Sequence, residues 1–97
     1  MLESLTVEDF RPRVGDTYRL VPAVGDAVEA VLVSVEERGE APPDHRAPFT
    51  LDFRAPATTT LEQGTYQVEH PDAGTLELFL VPIGPDAEGT LYQAVFG

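Results

Sequence analysis

Several residue types are missing or scarce in this 97-residue sequence, and each absence excludes a class of chemistry. There is no cysteine, so disulfides, thiolate metal sites and cysteine nucleophiles are excluded. The only serines are Ser4 and Ser34, and neither lies in the G-x-S-x-G motif of a nucleophile elbow. No apolar run approaches the roughly 20 residues that a helix needs to cross a bilayer.

Positive charge is also scarce. The chain has 17 acidic and 6 basic residues, and because there is no lysine all six are arginines. A net charge of −11 opposes binding to nucleic acid and to anionic lipid, so we expect neither as a partner. The simplest interpretation is a well-solvated surface. An acidic decoy of a nucleic-acid-binding protein stays open as an alternative.

The first residues, "MLESLTVEDF", contain no basic or apolar region of a signal peptide. We therefore expect a cytoplasmic protein, or part of a particle released without a cleaved signal peptide. Thr6 and Asp9 have the spacing of an acidic capping box, and Leu5 and Phe10 have that of a hydrophobic staple. These patterns predict a short N-terminal helical cap within residues 1–14.

After this cap, apolar residues alternate with polar ones, as is typical of strands with one buried face. In the second candidate strand, residues 28–36, the alternation of apolar and polar residues breaks at Leu32-Val33, which predicts a β-bulge. The candidate strands are 17–21, 28–36, 49–54, 65–70, 75–83 and 90–96.

Short strands separated by turn signals predict an all-β, mainly antiparallel fold. We expect a small six- to seven-stranded barrel or sandwich with a short N-terminal helix. Only hairpin connections are needed from Gly64 to Phe96, which predicts a C-terminal meander. The chain is interpreted as a single domain over residues 1–97, with a mobile loop at 37–48.

Two similar motifs, "PDAGTL" (71–76) and "PDAEGTL" (85–91), flank the fifth strand. Their carboxylates could suggest a metal site, but turns at the two ends of one strand lie far apart. We therefore predict two hairpin turns, with Gly74 or Gly89 in the left-handed conformation. No metal site, cofactor or catalytic residue is predicted.

The candidate binding residues are Arg46, Arg54, Tyr66, His70 and Tyr92. Arginines beside the 37–48 loop could form a contact surface, because binding residues concentrate on loops. The simpler interpretation is that they neutralise neighbouring carboxylates such as Asp52. For His70, which precedes a turn, the simpler role is a hydrogen bond to the turn backbone.

Three segments carry a resemblance to a known family: "LESLTVEDFRPRVGDTYRL", "FTLDFR" and "LEQGTYQVEHPDAGTLELFLVPIGPDAEGTLYQAVF". Together they resemble a small stand-alone bacterial domain family of unknown function. The resemblance implies an accessory or structural role, because members are often encoded near phage-tail-collar-like proteins. It defines no catalytic residues.

We accordingly expect a non-enzymatic accessory, structural or protein-interaction domain, associated with a phage-tail-like or fibre assembly. The terminal strand "LYQAVF" (91–96) is expected to be an exposed edge that pairs with a protein partner or with another copy. The alternatives are a small-ligand or glycan-binding module and the acidic decoy.

Overall fold

A computed structural model describes residues 5–40 and 47–96. Six antiparallel strands form a closed barrel in the order β1-β2-β3-β6-β5-β4. The prediction of a small all-β barrel is confirmed, and the sandwich alternative is excluded because the sheet closes on itself. The strands are β1 (Thr17–Val21), β2 (Val28–Glu37), β3 (Phe49–Ala55), β4 (Gly64–His70), β5 (Gly74–Asp86) and β6 (Gly89–Phe96).

The predicted C-terminal meander is confirmed, since β4, β5 and β6 pair in sequence order. The prediction that residues 91–96 form an exposed edge is wrong. On its other side β6 pairs with β3, from Phe49↔Phe96 to Ala55↔Thr90. Closing the barrel brings these two strands together, and nothing in the local sequence of β6 indicates this long-range pairing.

Side chains fill the interior of the barrel. Phe49, Leu51 and Phe53 alternate inward along β3 and are fully buried, as the sequence predicts. The predicted bulge in β2 is confirmed by a register shift between Leu32 and Ser34. A second shift, between Pro82 and Gly84 of β5, was not predicted.

The N-terminal cap (residues 7–13) consists of two 3₁₀ turns, Val7–Asp9 and Arg11–Arg13. The Thr6 N–H donates to the Asp9 carboxylate at 2.8 Å, which is the backbone-directed half of the predicted capping box. No helix in the two described ranges is long and apolar enough to cross a membrane.

The two ends of the barrel differ. Phe10 of the cap packs against Phe49 and Phe96, with ring centroids 5.8 and 5.6 Å away. We call this end, which also carries the β4–β5 turn (71–73), the cap end. The opposite end carries the connector between β3 and β4 (56–63) and the β5–β6 turn; we call it the connector end.

Candidate functional site

The two similar motifs form hairpin turns at opposite ends of β5, which confirms their prediction as turns. One turn closes with the pair His70↔Gly74 and the other with Asp86↔Gly89. Since β5 runs between them, their carboxylates belong to opposite ends of the barrel. No group of three or more histidine or carboxylate side chains within residues 5–40 and 47–96 could hold a metal ion.

The backbone N–H groups of the two turns donate hydrogen bonds to different kinds of side chain. In the β5–β6 turn, Asp86 Oδ1 accepts the N–H groups of Glu88 and Gly89, both at 2.9 Å. In the β4–β5 turn, His70 Nδ1 accepts the N–H groups of Asp72 and Ala73 at 3.0 and 3.1 Å. The His70 imidazole thus accepts two backbone N–H groups in one turn, as the Asp86 carboxylate does in the other, although the two motifs are similar in sequence.

The glycines of the two turns also differ in their role. Gly74 has φ of 87°, the left-handed conformation that the sequence predicts. Gly89 is not left-handed, and this half of the prediction is wrong. A Cβ at Gly89 would lie 2.2 Å from the backbone oxygen of Ala55. Glycine is therefore needed at position 89 because the hairpin packs closely against β3.

His70 is part of the structure of the cap end. Its side chain is 5% exposed, and its Nε2 lies 2.8 Å from Asp16 Oδ2. Because Nδ1 accepts two backbone N–H groups, Nε2 carries the ring proton and donates to Asp16. The predicted hydrogen bonding between His70 and the turn backbone is confirmed, with Nδ1 as the acceptor, and both ring nitrogens are engaged.

Tyr66 and Tyr92 hold the connector in place. The fully buried Tyr92 hydroxyl accepts the Leu61 N–H at 3.0 Å. The Tyr66 hydroxyl donates to the backbone oxygen of Glu62. Burial raises the pKa of Tyr66, and the nearby Tyr92 and Glu62 raise it further. These hydroxyls therefore bind the protein's own backbone.

Arg54 joins β3 to the β5–β6 turn. Its Nε and Nη2 lie 3.0 and 2.5 Å from Asp86 Oδ2, and its Nη1 lies 3.4 Å from Glu88. The hydrogen bond from Arg54 lowers the pKa of Asp86. The simpler interpretation of this arginine, charge neutralisation, is confirmed, although its partners come from a hairpin distant in sequence rather than from Asp52.

The structure does not gather the candidate residues into one site. Tyr66, Tyr92 and Arg54 belong to contacts of the connector end, whereas His70 lies at the cap end. Arg46, like half of the predicted 37–48 loop, lies outside the described residues. The four candidate residues that the structure describes thus all make polar contacts within the chain itself.

Sequence reasoning missed Tyr18, whose alternation in β1 indicated only an inward position. The residue is 3% exposed, and its hydroxyl has no hydrogen-bond partner among the described residues. It borders a cavity of about 280 Å³ between the N-terminal cap and the β4–β5 turn. The sequence held no signal for this cavity, because its walls come from four separate segments.

A second missed feature is an apolar patch on the outside of the barrel. Phe79 and Val95 are 54% and 66% exposed. The pairing Leu80↔Ala94 places them side by side on β5 and β6. We call these two residues the outer patch. The alternation of inward and outward residues along β5 and β6 directs Phe79 and Val95 away from the interior. Their outward position was therefore predictable from the sequence.

A free strand edge lies next to the outer patch. The pairing of β4 with β5 ends at Gly64↔Leu80, while β5 continues to Asp86 beside β6. In the described part of the sheet, residues 81–86 therefore pair on one side only, and we call them the β5 arm. The arm contains Pro82 and Pro85, which lack N–H groups and weaken pairing with a further strand.

The comparisons with known proteins identify a family and no function. No curated protein and no solved structure matched the chain. The profile of one family, described as a domain of unknown function, matches residues 5–96, which include all six strands. The chain therefore belongs to the DUF6916 family.

Proposed function

We propose that this protein is a non-enzymatic interaction domain that binds a protein partner through the outer patch. The observation that carries the proposal is the exposure of Phe79 and Val95, at 54% and 66%, next to each other on a paired sheet. Aromatic side chains are enriched at protein interfaces, where they contribute much of the binding energy. A closed barrel holds both residues in fixed positions, which lowers the entropic cost of binding.

The surroundings of the patch support this proposal. Asp52, on the neighbouring part of the outer surface, accepts hydrogen bonds from Gln93 and Ser34, both at 3.0 Å. An apolar centre bordered by a polar network is the usual composition of a protein interface. The β5 arm adds Ile83, which is 45% exposed. Because Pro82 and Pro85 limit strand addition there, side-chain contacts supply the affinity in this proposal.

The engagement of the candidate chemical groups supports a role without catalysis. His70 uses both ring nitrogens, and Arg54 is paired with Asp86. The hydroxyls of Tyr66 and Tyr92 bind the connector. A phage-tail-like or fibre assembly is the setting we propose, from the resemblance and not from the geometry. The acidic decoy stays a prediction.

The test compares the wild type with Phe79→Ser and Val95→Thr variants. Val24→Ser is the matched control, because Val24 is 90% exposed but lies in the turn between β1 and β2. Immobilised domain is incubated with native lysate, and captured proteins are identified by mass spectrometry. Light scattering of the purified domain tests for binding to a second copy.

We expect a partner, or a dimer, that the wild type and Val24→Ser retain and that both patch variants lose. Circular dichroism should show the same fold for all four proteins, since the substituted side chains are exposed. Identical captured proteins and identical molar masses for all four would exclude the outer patch as the binding surface.

A further inference from the structure

The cavity at the cap end has the form of a small binding site. Its volume is about 280 Å³, and it opens between the N-terminal cap and the β4–β5 turn. Cavities of about 150 Å³ already hold benzene, so this one has room for one ring with a short substituent. Its larger apolar lining residues are Leu5, Phe10, Val68 and Leu76.

The Tyr18 hydroxyl is the polar group that points to a ligand. It is the exception among the buried tyrosines, because Tyr66 and Tyr92 both have hydrogen-bond partners and Tyr18 has none among the described residues. Buried polar atoms nearly always have a partner. The ring is held at a centroid distance of 5.3 Å from Phe53 and 4.9 Å from His70. The hydroxyl is therefore in a fixed position.

The charges around the cavity decide which ligand fits. Burial raises the pKa of Tyr18, against the opposing effect of Arg13, so the hydroxyl keeps its proton at neutral pH and can donate. Arg13, which donates to the backbone oxygen of Asp9, also lines the cavity. Asp9 and Asp72 line it as well. These two negative charges and the net charge of −11 disfavour an anionic ligand.

We propose that this cavity binds a small neutral molecule that has a short apolar body and a carbonyl oxygen. The apolar body contacts Phe10, Val68 and Leu76, and the carbonyl oxygen accepts a hydrogen bond from the Tyr18 hydroxyl. The proposal is independent of the outer patch, which lies on the outside of β5 and β6.

Three probes that share a phenyl ring and a short chain test this chemistry. Benzylacetone carries the neutral carbonyl, butylbenzene has no polar group and phenylbutyrate carries a carboxylate. Each is titrated into ¹⁵N-labelled protein while amide chemical shifts are recorded. We expect saturable shifts at the cap end, including Phe10 and Gly74. Benzylacetone should bind about three- to tenfold more tightly than butylbenzene, the ratio expected for one net hydrogen bond.

The same titrations with Tyr18→Phe assign the preference to the hydroxyl. This variant should bind butylbenzene as well as the wild type does and should lose the preference for benzylacetone. Tyr66→Phe is the matched control, because its hydroxyl is engaged with Glu62, and it should keep the preference. Phenylbutyrate should bind more weakly than benzylacetone in the wild type.

Three results would overturn the proposal. The first is an absence of saturable binding by all three probes, which would mean that the cavity does not admit a ligand of this kind. The second is a preference for benzylacetone that Tyr18→Phe retains. The third is a set of shifts centred on Phe79 and Val95, which would place the probes on the outer patch. Because the outer patch is tested by its own variants, its failure and the failure of this cavity site are distinguishable.

Discussion

At the scale of single residues, three tyrosines on inward positions have different tasks. Tyr92 and Tyr66 bind the connector through their hydroxyls. Tyr18 is as deeply buried but contributes only its ring, which packs edge-on against Phe53. Their alternation patterns are equivalent, so the sequence alone does not distinguish a tyrosine whose hydroxyl has an internal partner from one whose hydroxyl has none among the described residues.

We expect Tyr92→Phe to destabilise the protein by about 1–2 kcal/mol, because it leaves the Leu61 N–H without its acceptor. Tyr18→Phe removes a hydroxyl that has no partner in the described structure, so it should leave stability unchanged or raise it. Urea unfolding followed by circular dichroism measures both variants. Equal destabilisation by the two substitutions would contradict this assignment of the hydroxyls.

At the scale of the element, the β5–β6 hairpin is fastened to β3 in two ways. Arg54 reaches from β3 to Asp86, which also accepts two backbone N–H groups of the turn. Gly89 allows the hairpin to approach the backbone oxygen of Ala55. The Arg54–Asp86 ion pair and the close packing at Gly89 therefore both hold the β5–β6 hairpin against β3.

Replacement of Gly89 by alanine should destabilise the fold by about 1–3 kcal/mol, the usual cost of overpacking. The added Cβ would lie 2.2 Å from a backbone oxygen of β3, so the two strands must move apart. Gly64→Ala is the matched control, because nothing lies within 4 Å of a Cβ there and its φ is not positive. Thermal unfolding should separate the two variants. An equally small effect at both positions would contradict the close-packing role of Gly89.

The Arg54–Asp86 contact predicts an acid dependence of stability. The pKa of Asp86 is lower in the folded state than its ordinary value of 3.8. This contact therefore contributes fully above the unfolded pKa and is lost as the pH falls through the folded pKa. Asp86→Asn keeps an oxygen for the turn and removes the charge, so it should be less stable than the wild type at pH 7.

Urea midpoints of the wild type and Asp86→Asn, measured from pH 7 down to about pH 2, test this contact. The difference in stability between them should narrow once the pH falls below the ordinary range of an aspartate. A difference that stays constant over the whole range would show that the charge of Asp86 does not contribute.

At the scale of the whole molecule, a filled barrel carries a large excess of negative charge. The net charge is −11 on 97 residues, and several arginines are already paired with carboxylates, as Arg11 is with Glu8. The unpaired excess repels itself more strongly in the compact state than in the unfolded chain. Stability and the choice of partners should both depend on ionic strength.

Raising the NaCl concentration from about 10 mM to about 150 mM should increase the melting temperature. The Debye length falls from about 30 Å to about 8 Å over this range, which screens the repulsion between surface carboxylates. Calorimetry at neutral pH measures the change. A melting temperature that falls over this range would show that the ion pairs outweigh the net repulsion.

Features set by neighbouring residues were predictable from the sequence. They include the strands, the bulge near Leu32, the two turns and the hydrogen bonding of His70 with its turn, because alternation, turn chemistry and short-range donors act within a few residues.

Closure of the barrel depends instead on the pairing of β3 with β6, which are far apart in the chain. That pairing removed the predicted edge at 91–96 and gave Arg54 its partner Asp86. It also imposed glycine at position 89, while packing of the cap against the β4–β5 turn formed the cavity beside Tyr18. Such contacts depend on which surfaces bury the most apolar area together, a property of the whole chain that no local pattern contains.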